Sequence, residues 1–272
     1  MNPPITTAVI LARGLGSRMQ QEDAEAALDP AQASAARRGQ KGMIPDARGR
    51  PFLAHILSGL ADVGLTHAIL VVAPEHAMIR EHFDRHPPTR LRLAYAIQSE
   101  PDGTARAVLA AEPLVADSAF LVLNADNLYP AVALEALVTL GEPGLVAFDR
   151  AGLIAGGGID AERVRAFALL RVDHAGYLAE LVEKPDPATF AAMPDAGVSM
   201  NLWRFDGRMF AACRDVSRSV RGEYELPEAV ALARQRGARF RVVAASAPVL
   251  DLSRRGDVAR VAAALARHPI AP

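Results

Sequence analysis

The sequence predicts an α/β fold in which a mixed, mostly parallel sheet is flanked by helices. Apolar strand-like runs alternate with amphipathic helical runs through the first half of the chain, and a glycine-rich turn follows the first of these runs. Half of the 272 residues are apolar, which is enough for a large core. We therefore predict a single domain over 1–272, built from the halves 1–150 and 151–272.

The predicted elements follow from these patterns. Apolar runs predict strands at 8–12, 67–73, 91–97, 119–124 and 145–149. Helical periodicity predicts helices at 51–63, 75–85, 104–115 and 131–140. The second half is mixed, with a hairpin of 165–172 and 177–183, strands at 198–205 and 239–245, and helices at 226–236 and 256–267. Functional residues are expected at the carboxyl ends of the parallel strands.

Composition and charge exclude several classes of protein. A formal net charge of −1 without a dense Lys/Arg run argues against a nucleic-acid partner. No apolar run approaches the roughly 20 residues that span a bilayer, and the N-terminus has no basic region before a hydrophobic stretch, so we expect no membrane partner and cytoplasmic residence. The single Cys213 cannot form an internal disulfide. The sequence leaves a homo-oligomeric state open.

A glycine-rich turn lies in the stretch AVILARGLGSR, residues 8–18. Gly14 and Gly16 allow a tight turn whose backbone N–H groups, with the start of a following helix, can bind anions, and Arg18 adds a planar cation. No Lys followed by Ser or Thr comes after Gly16, which excludes a P-loop, and Met19 replaces the third glycine of a dinucleotide fingerprint. The turn predicts a phosphate cradle, and a merely structural turn is the alternative.

Lys41 comes shortly before a predicted helix, in the stretch QKGMIP. Its ammonium group can reach phosphates that the first loop holds, and a solvated surface lysine is the alternative. The preceding segment, 20–40, is rich in Ala and Gln with mixed charge, and its composition favours a solvated insertion over a mobile helix above the site.

A second loop, QSEPDGTA at 98–105, follows a predicted strand and opens a predicted helix. It lies at the same edge of the sheet as the first loop. The side-chain amide of Gln98 carries a donor and an acceptor side by side, which suits the edge of a nucleobase. An ordinary turn is the alternative.

Two charged motifs follow strands further along the chain. Asp126, in FLVLNADNLYP, comes directly after a strongly apolar strand, where a Mg²⁺ ligand is favoured over a helix cap. Glu183 and Lys184 precede a proline in ELVEKPD, and strand neighbours point to opposite faces. At a strand end they can bind a sugar hydroxyl and a phosphate, and an exposed edge strand is the alternative.

Eight motifs, ordered from residue 8 to residue 258, resemble those of the sugar-nucleotide pyrophosphorylases, the nucleotidyltransferase A family. They are ARGLGSRM, KGMIP, QSEPDGTA, NADN, EKP, VSMNLWRF, GEYELPEA and VLDLSRRGDV. The resemblance covers nearly the whole chain and includes the glucose-1-phosphate thymidylyl- and uridylyltransferases. It implies a Rossmann-like fold of the nucleotide-diphospho-sugar transferase type, with 1–150 as the nucleotide-binding half and 151–272 as the sugar-phosphate-binding half.

The resemblance also implies an activity and its residues: transfer of a nucleotidyl group from a nucleoside triphosphate to a sugar 1-phosphate, with Mg²⁺. The implied nucleotide-binding residues are Leu11, Ala12, Gly14, Gly16, Ser17, Gln98, Gly103 and Thr104. The implied catalytic residues are Arg18, Lys41, Asp126 and Lys184. The implied sugar-phosphate-binding residues are Asn127, Glu183, Lys184, Ser199 and Asn201. The implied metal ligands are Asp126 and Asp251, which we expect on opposite walls of one cleft.

The resemblance bears on the base as well. The amide of Gln98 can accept from the ring N–H of uracil or thymine and donate to the adjacent carbonyl, while Gly103 leaves room for the base. The same amide can rotate to face adenine or guanine, and a purine pocket shaped by 101–104 is the alternative. Because the thymidylyl- and uridylyltransferases that the chain resembles carry Gln at this place, we expect UTP or dTTP to be preferred over GTP and ATP.

Some positions depart from the family pattern. Arg13 replaces a small residue, Gly42 replaces a proline, and Ala125 and Asn201 stand where glycine is commoner. Arg13 can reach a triphosphate or point outward. Two other functions stay open: a cytidylyl- or guanylyltransferase of this fold with a non-sugar acceptor, and a non-catalytic nucleotide-sugar sensor.

Overall fold

The computed structural model describes residues 5–23, 26–115, 118–155, 159–266 and 270–271. Within them the strands are β1 (Thr7–Leu11), β2 (His67–Val72), β3 (Arg92–Ile97), β4 (Phe120–Asn124), β5 (Asn127–Leu128), β6 (Gly144–Phe148), β7 (Ala168–Val172), β8 (Leu178–Val182), β9 (Val198–Ser199), β10 (Trp203–Phe205), β11 (Arg241–Ala245) and β12 (Leu250–Asp251).

The helices of the described residues are α1 (Ser17–Gln20), α2 (Pro30–Arg37), α3 (Phe52–Asp62), α4 (Ala77–Arg85), α5 (Thr104–Ala110), α6 (Glu112–Val115), α7 (Ala131–Thr139), α8 (Arg150–Ala155), α9 (Ala161–Val164), α10 (Pro187–Ala192), α11 (Arg208–Asp215), α12 (Leu226–Gln235) and α13 (Asp257–Leu265). A 3-10 turn, Lys41–Met43, precedes α3. None of these helices is both long and apolar enough to cross a bilayer.

One large sheet organises the molecule. Its order is β3-β2-β1-β4-β10-β6-β9-β7-β8, and β11 also pairs with β6. β1 runs parallel to both β2 and β4, so that Val9 lies between Ile69 and Val122. β10 enters antiparallel between β4 and β6, which makes the second half mixed. The expected mixed, mostly parallel sheet is therefore confirmed.

Alternating side chains of β1 enter cores on the two faces of this sheet. Ala8 and Ile10 belong to the core that α3, α7 and α13 complete, whereas Val9 belongs to the core that α5, α11 and α12 complete. Because both faces are covered, β1 reads as a continuous apolar run rather than an alternating one. This burial holds the ends of β1 and β4 in place at the sheet edge.

Two predicted elements are interrupted in the structure. The strand expected at 198–205 divides into β9 and β10 because Asn201 adopts a φ of 57°, in the left-handed region that ends a strand. The helix expected at 104–115 divides into α5 and α6 just before Pro113, which has no N–H to continue the helical hydrogen bonds. Residue 267, the last of the final predicted helix, lies outside the described residues.

The segment before Lys41 is not the solvated insertion that its composition favours. Asp29 and Gln32 form a reciprocal capping box at the start of α2. Ala35 and Ala36 are buried in the core, whereas the side chains of a solvated segment would be exposed. The prediction failed because Ala and Gln are good helix formers, and packing against the first loop supplies the burial that composition alone does not reveal.

Candidate active site

A cleft of about 420 Å³ opens where β1, β3 and β4 end. This is the edge at which open α/β sheets bind ligands. Many of the predicted site residues line it: Leu11, Ala12, Gly14, Gly16, Ser17, Lys41, Gln98, Gly103, Thr104, Asp126 and Asn201. The topology thus brings together motifs that lie up to 190 positions apart, from Leu11 to Asn201.

The first loop turns at Gly16, whose φ of 63° lies in the left-handed region. A Cβ added at Gly16 would stand 2.1 Å from the carbonyl oxygen of Gly39. Glycine is therefore required by contact with the segment that follows α2, and the loop and that segment together form one wall of the cleft. Arg255, at the other end of the chain, donates to the carbonyl of Met19 at 3.0 Å and so holds α1.

Lys41 and Asp126 meet in the cleft. The Nζ atom of Lys41 lies 2.7 Å from Oδ2 of Asp126, and the two side chains are 19% and 24% exposed. Oδ1 of Asp126 makes no hydrogen bond to the described part of the chain. The cleft therefore offers an ammonium group and a carboxylate oxygen, which are the groups that phosphates and a divalent cation need.

Asp251 does not lie on the wall opposite Asp126, so that expectation is wrong. In the small sheet of β5 and β12, Asp251 pairs with Asn127, the neighbour of Asp126. Burial and the Asp126 carboxylate raise the pKa of Asp251 to about 6. The side chain of Asp251 is only 2% exposed, and its oxygens accept from Ser253 Oγ at 2.7 Å and from Arg163 Nη2 at 2.5 Å.

Sequence reasoning missed Arg163. Its guanidinium group bridges Asp251 and, at 2.8 Å from Nη1, Asp257. These carboxylates raise the pKa of Arg163 against the opposing effect of its burial. Arg163 lies in a one-turn helix with no motif of its own, between a glutamate and a valine, so its sequence neighbours do not distinguish it from an ordinary surface charge. The arginine compensates the negative charge that the buried aspartates place behind Asp126.

The second loop is completed by a distant segment. Gly103 has a φ of 120°, and a Cβ there would stand 2.3 Å from the carbonyl oxygen of Tyr224. Tyr224 accepts from the N–H of Ala105 at 2.9 Å and donates its own N–H to the carbonyl of Asp102 at 2.8 Å. Glycine at 103 is thus required by this close docking of the GEYEL segment, which is a different reason from room for a base.

The side chains of the second loop are ordered by these contacts. Nε2 of Gln98 donates to Oδ1 of Asp102 and to the carbonyl of Gly103, both at 3.0 Å. Both partners can only accept, so the amide nitrogen faces the loop and Oε1 is the remaining polar atom. Thr104 accepts from the N–H of Leu226 at 2.8 Å and therefore satisfies the start of α12.

Arg13 does not point outward. Its side chain is buried and lines the cleft beside the second loop. Nε donates to the carbonyl of Gln98 at 3.3 Å, and Nη2 donates to the carbonyl of Ser99 at 3.2 Å. Arg13 therefore joins the first loop to the second.

The other predicted residues lie outside the lining of this cleft. Arg18 is exposed on α1, and Asn127 and Ser199 are buried. Glu183 and Lys184 line a separate cavity of about 670 Å³, together with Arg218, Arg221 and Glu225. Lys184 has a φ of 42°, an unusual conformation that turns the chain at the end of β8. The roles expected of these residues stay predictions.

Comparison with known proteins agrees with this architecture. The chain is 29% identical over 230 residues to UTP–glucose-1-phosphate uridylyltransferase AglF of Haloferax volcanii, covering 83% of this chain and 82% of that protein. It is 31% identical over 265 residues to the bifunctional protein GlmU of Rhodospirillum rubrum, covering 96% of this chain and 53% of GlmU. The chain thus spans about half the length of this bifunctional relative.

Structural and family comparisons point the same way. A solved UDP-glucose pyrophosphorylase complexed with UDP-glucose has the same fold, with a TM-score of 0.74, 16% identity and coverage of 97% of this chain and 99% of that chain. The family model for nucleotidyl transferases matches residues 35–246. The expected fold and enzyme class are confirmed, and the chain belongs to the nucleotidyl transferase family.

Proposed function

We propose that this protein transfers a nucleotidyl group from a nucleoside triphosphate, with UTP or dTTP favoured, to a sugar 1-phosphate, forming a nucleotide sugar and pyrophosphate. The observation that carries the proposal is one cleft with the Lys41–Asp126 pair and the Gln98 amide in its lining. A nucleotide bound with a metal ion requires such groups: a cation for its phosphates, a carboxylate for the metal and an amide for its base. The uridylyltransferase relative supports the choice of a sugar phosphate as acceptor.

The chemistry needs no protein nucleophile. A phosphate oxygen of the sugar 1-phosphate attacks the α-phosphorus in line, the bond to the β-phosphate oxygen breaks, and pyrophosphate leaves. The protein contributes position and charge: the N–H groups of the first loop hold the triphosphate, and Lys41 donates to its oxygens. The proposed roles of Arg18 and Lys184 are to add positive charge at the triphosphate and at the sugar phosphate.

The residues at the cleft suit a Mg²⁺ ion. The described residues hold no cluster of three or more His, Cys, Asp or Glu side chains that would bind a metal alone. Mg²⁺ usually takes only one or two carboxylates besides phosphate oxygens and water, and Asp126 has a carboxylate oxygen available. We propose Asp126 as the first ligand and Asp251 as the second, which requires Asp251 to exchange its contact with Arg163. When bound, the ion neutralises charge on the phosphates.

Base recognition follows from the orientation of Gln98. With Nε2 bonded to the second loop, Oε1 can accept from the ring N–H of uracil or thymine. In this orientation the same amide does not donate to the adjacent carbonyl, so that hydrogen bond must come from another group.

The remaining residues and the location complete the proposal. Glu183, Ser199 and Asn201 are proposed to contact the sugar phosphate, together with Asn127. We also propose cytoplasmic residence, because that is where nucleoside triphosphates and sugar phosphates are available.

Pyrophosphate release is the direct test. The purified protein is mixed with Mg²⁺, each common nucleoside triphosphate and each member of a panel of sugar 1-phosphates, and the nucleotide sugar is identified by mass. We expect release only when both substrates are present, with UTP or dTTP fastest. Asp126→Asn, which removes the proposed Mg²⁺ ligand, is the inactive control and should release little pyrophosphate from any pair. Tight binding of a nucleotide sugar without pyrophosphate release from any pair would instead support a sensor.

A further inference from the structure

Arg13 is a buried cation without an ion-pair partner among the residues that the structure describes. Arg13 is 6% exposed, and its side chain makes two hydrogen bonds within the described residues, to the carbonyls of Gln98 and Ser99. None of the ion pairs of the described residues includes Arg13, and its Nη1 makes no hydrogen bond to them. Nη1 is not buried away from solvent, so it opens on the cleft that Arg13 lines, where a bound ligand can supply an acceptor for it.

The position of Arg13 indicates which part of the ligand supplies that acceptor. Its two hydrogen bonds go to the carbonyls that directly follow β3, where the base-reading loop begins. The opposite charges at the phosphate-binding part of the cleft are carried by Lys41 and Asp126. Arg13 therefore lies next to Gln98, whose Oε1 is available while its nitrogen is not.

We propose that Arg13 determines base specificity, reading with Gln98 a carbonyl oxygen adjacent to a ring N–H. This inference rests on the proposed nucleotidyl transfer in the same cleft. Oε1 of Gln98 accepts from the ring N–H, and Nη1 of Arg13 donates to the carbonyl. Uracil, thymine, hypoxanthine and guanine share this edge, and guanine alone adds an amino group on the other side of the ring N–H. Cytosine and adenine present a ring acceptor beside an amino group, which opposes acceptor to acceptor and donor to donor.

Matched nucleotides isolate this edge. UTP and CTP differ only at the 4-position and the adjacent N3, and ITP and ATP differ only at the 6-position and the adjacent N1, so each pair compares a carbonyl beside a ring N–H with an amino group beside a ring acceptor. We expect the wild-type protein to use UTP at least about tenfold better than CTP in kcat/KM, and ITP better than ATP, as expected for a good hydrogen-bonded pair. Arg13→Met should lower both ratios by roughly tenfold, mainly by slowing UTP and ITP.

Other roles for Arg13 give other results. If Arg13 binds the triphosphate or only joins the two loops, Arg13→Met will slow UTP and CTP equally and leave their ratio within about twofold of wild type, which overturns the proposal. Arg13→Lys keeps the charge but loses the planar fork, and we expect it to give an intermediate ratio. If thermal melting shows that Arg13→Met is not folded, Arg13→Lys serves as the test variant instead.

A binding measurement separates this inference from the proposed function. Calorimetric titration of UTP and CTP, with Mg²⁺ and no acceptor, needs no turnover. Tighter binding of UTP that is lost in Arg13→Met supports the role of Arg13 even if no sugar phosphate is accepted, in which case only the proposed function fails. Turnover of sugar 1-phosphates together with equal UTP and CTP affinities overturns the role of Arg13 alone.

Discussion

Lys41 and Asp126 form an ion pair of 2.7 Å between Nζ and Oδ2, although 85 positions separate them. The 3-10 turn that carries Lys41 meets the end of β4 only because the sheet and α3 place both at the same edge. A partly exposed pair of this kind contributes at most about 1 kcal/mol to folding. Its position in the cleft is therefore better explained by binding than by stability.

Removing either partner of this pair should affect turnover and leave the fold intact. We expect Lys41→Ala and Asp126→Asn each to lower kcat/KM by about a hundredfold or more, because the first removes the cation proposed to contact the triphosphate and the second removes the carboxylate proposed to hold Mg²⁺. The melting temperature should change little. Asp62→Asn, which breaks the exposed Arg90–Asp62 pair at 2.7 Å, is the matched control and should keep full activity. Full activity of Lys41→Ala would exclude this lysine from the reaction.

Arg18 gives a sharper test of the first loop, because it is exposed and does not line the cleft. If it closes on the triphosphate, Arg18→Ala will lower turnover by at least about tenfold, the loss expected for one hydrogen bond to a charged group. Stability should change by about 0.5 kcal/mol or less. Arg92→Ala, at the opposite end of the sheet, should match wild type in both respects. Equal kinetics for the two variants would remove Arg18 from the site.

Gly103 should tolerate no side chain. Gly103→Ala would place a Cβ against the backbone of Tyr224, so we expect a loss of about 2 kcal/mol or more in the free energy of unfolding, together with weaker nucleotide binding. Gly64 has a φ of 86° and open space around it, so Gly64→Ala reports the backbone cost alone. Urea denaturation and nucleotide titration compare the two variants. If Gly103→Ala and Gly64→Ala lose equal unfolding free energy and equal nucleotide affinity, the contact of Gly103 with Tyr224 does not restrict position 103.

Asp46 makes stability depend on pH in the acid range. Burial raises the pKa of Asp46, but hydrogen bonds from Arg50, the N–H of Arg48 and His55 more than offset this and lower it to about 2. The stability that comes from its charge is therefore full above about pH 4 and is lost as the pH falls towards 2, where the carboxylate protonates in the folded state as well.

Asp46→Asn tests this dependence. We expect it to lower the free energy of unfolding by about 2 kcal/mol at pH 7, and this difference should narrow as the pH falls from about 4 to about 2. Urea denaturation in steps of pH measures it. If the difference in unfolding free energy stays constant over this range, Asp46 stabilises the fold through its packing and not through its charge.

Local patterns were sufficient for most of the predicted elements. β1, β2 and β4 are buried on both faces and read as short apolar runs, and α3, α4 and α12 carry amphipathic periodicity that survives folding. α11 was not predicted, and α2 was masked by its composition. Both helices nevertheless carry local signals that the prediction missed, the capping box of Asp29 and Gln32 in α2 and buried side chains at helical spacing in α11.

By itself the sequence determined the class of fold, the order of the motifs and their convergence on the carboxyl ends of β1, β3 and β4, because strand direction follows from the alternation of strands and helices. Only the tertiary structure decided which groups meet within the cleft. Three of these contacts join residues more than 80 positions apart. They are the bridge of Arg163 to Asp251, the link of Arg13 to the second loop and the docking of Tyr224 on Gly103. Such contacts depend on the packing of whole elements, so they leave no periodic signal along the chain.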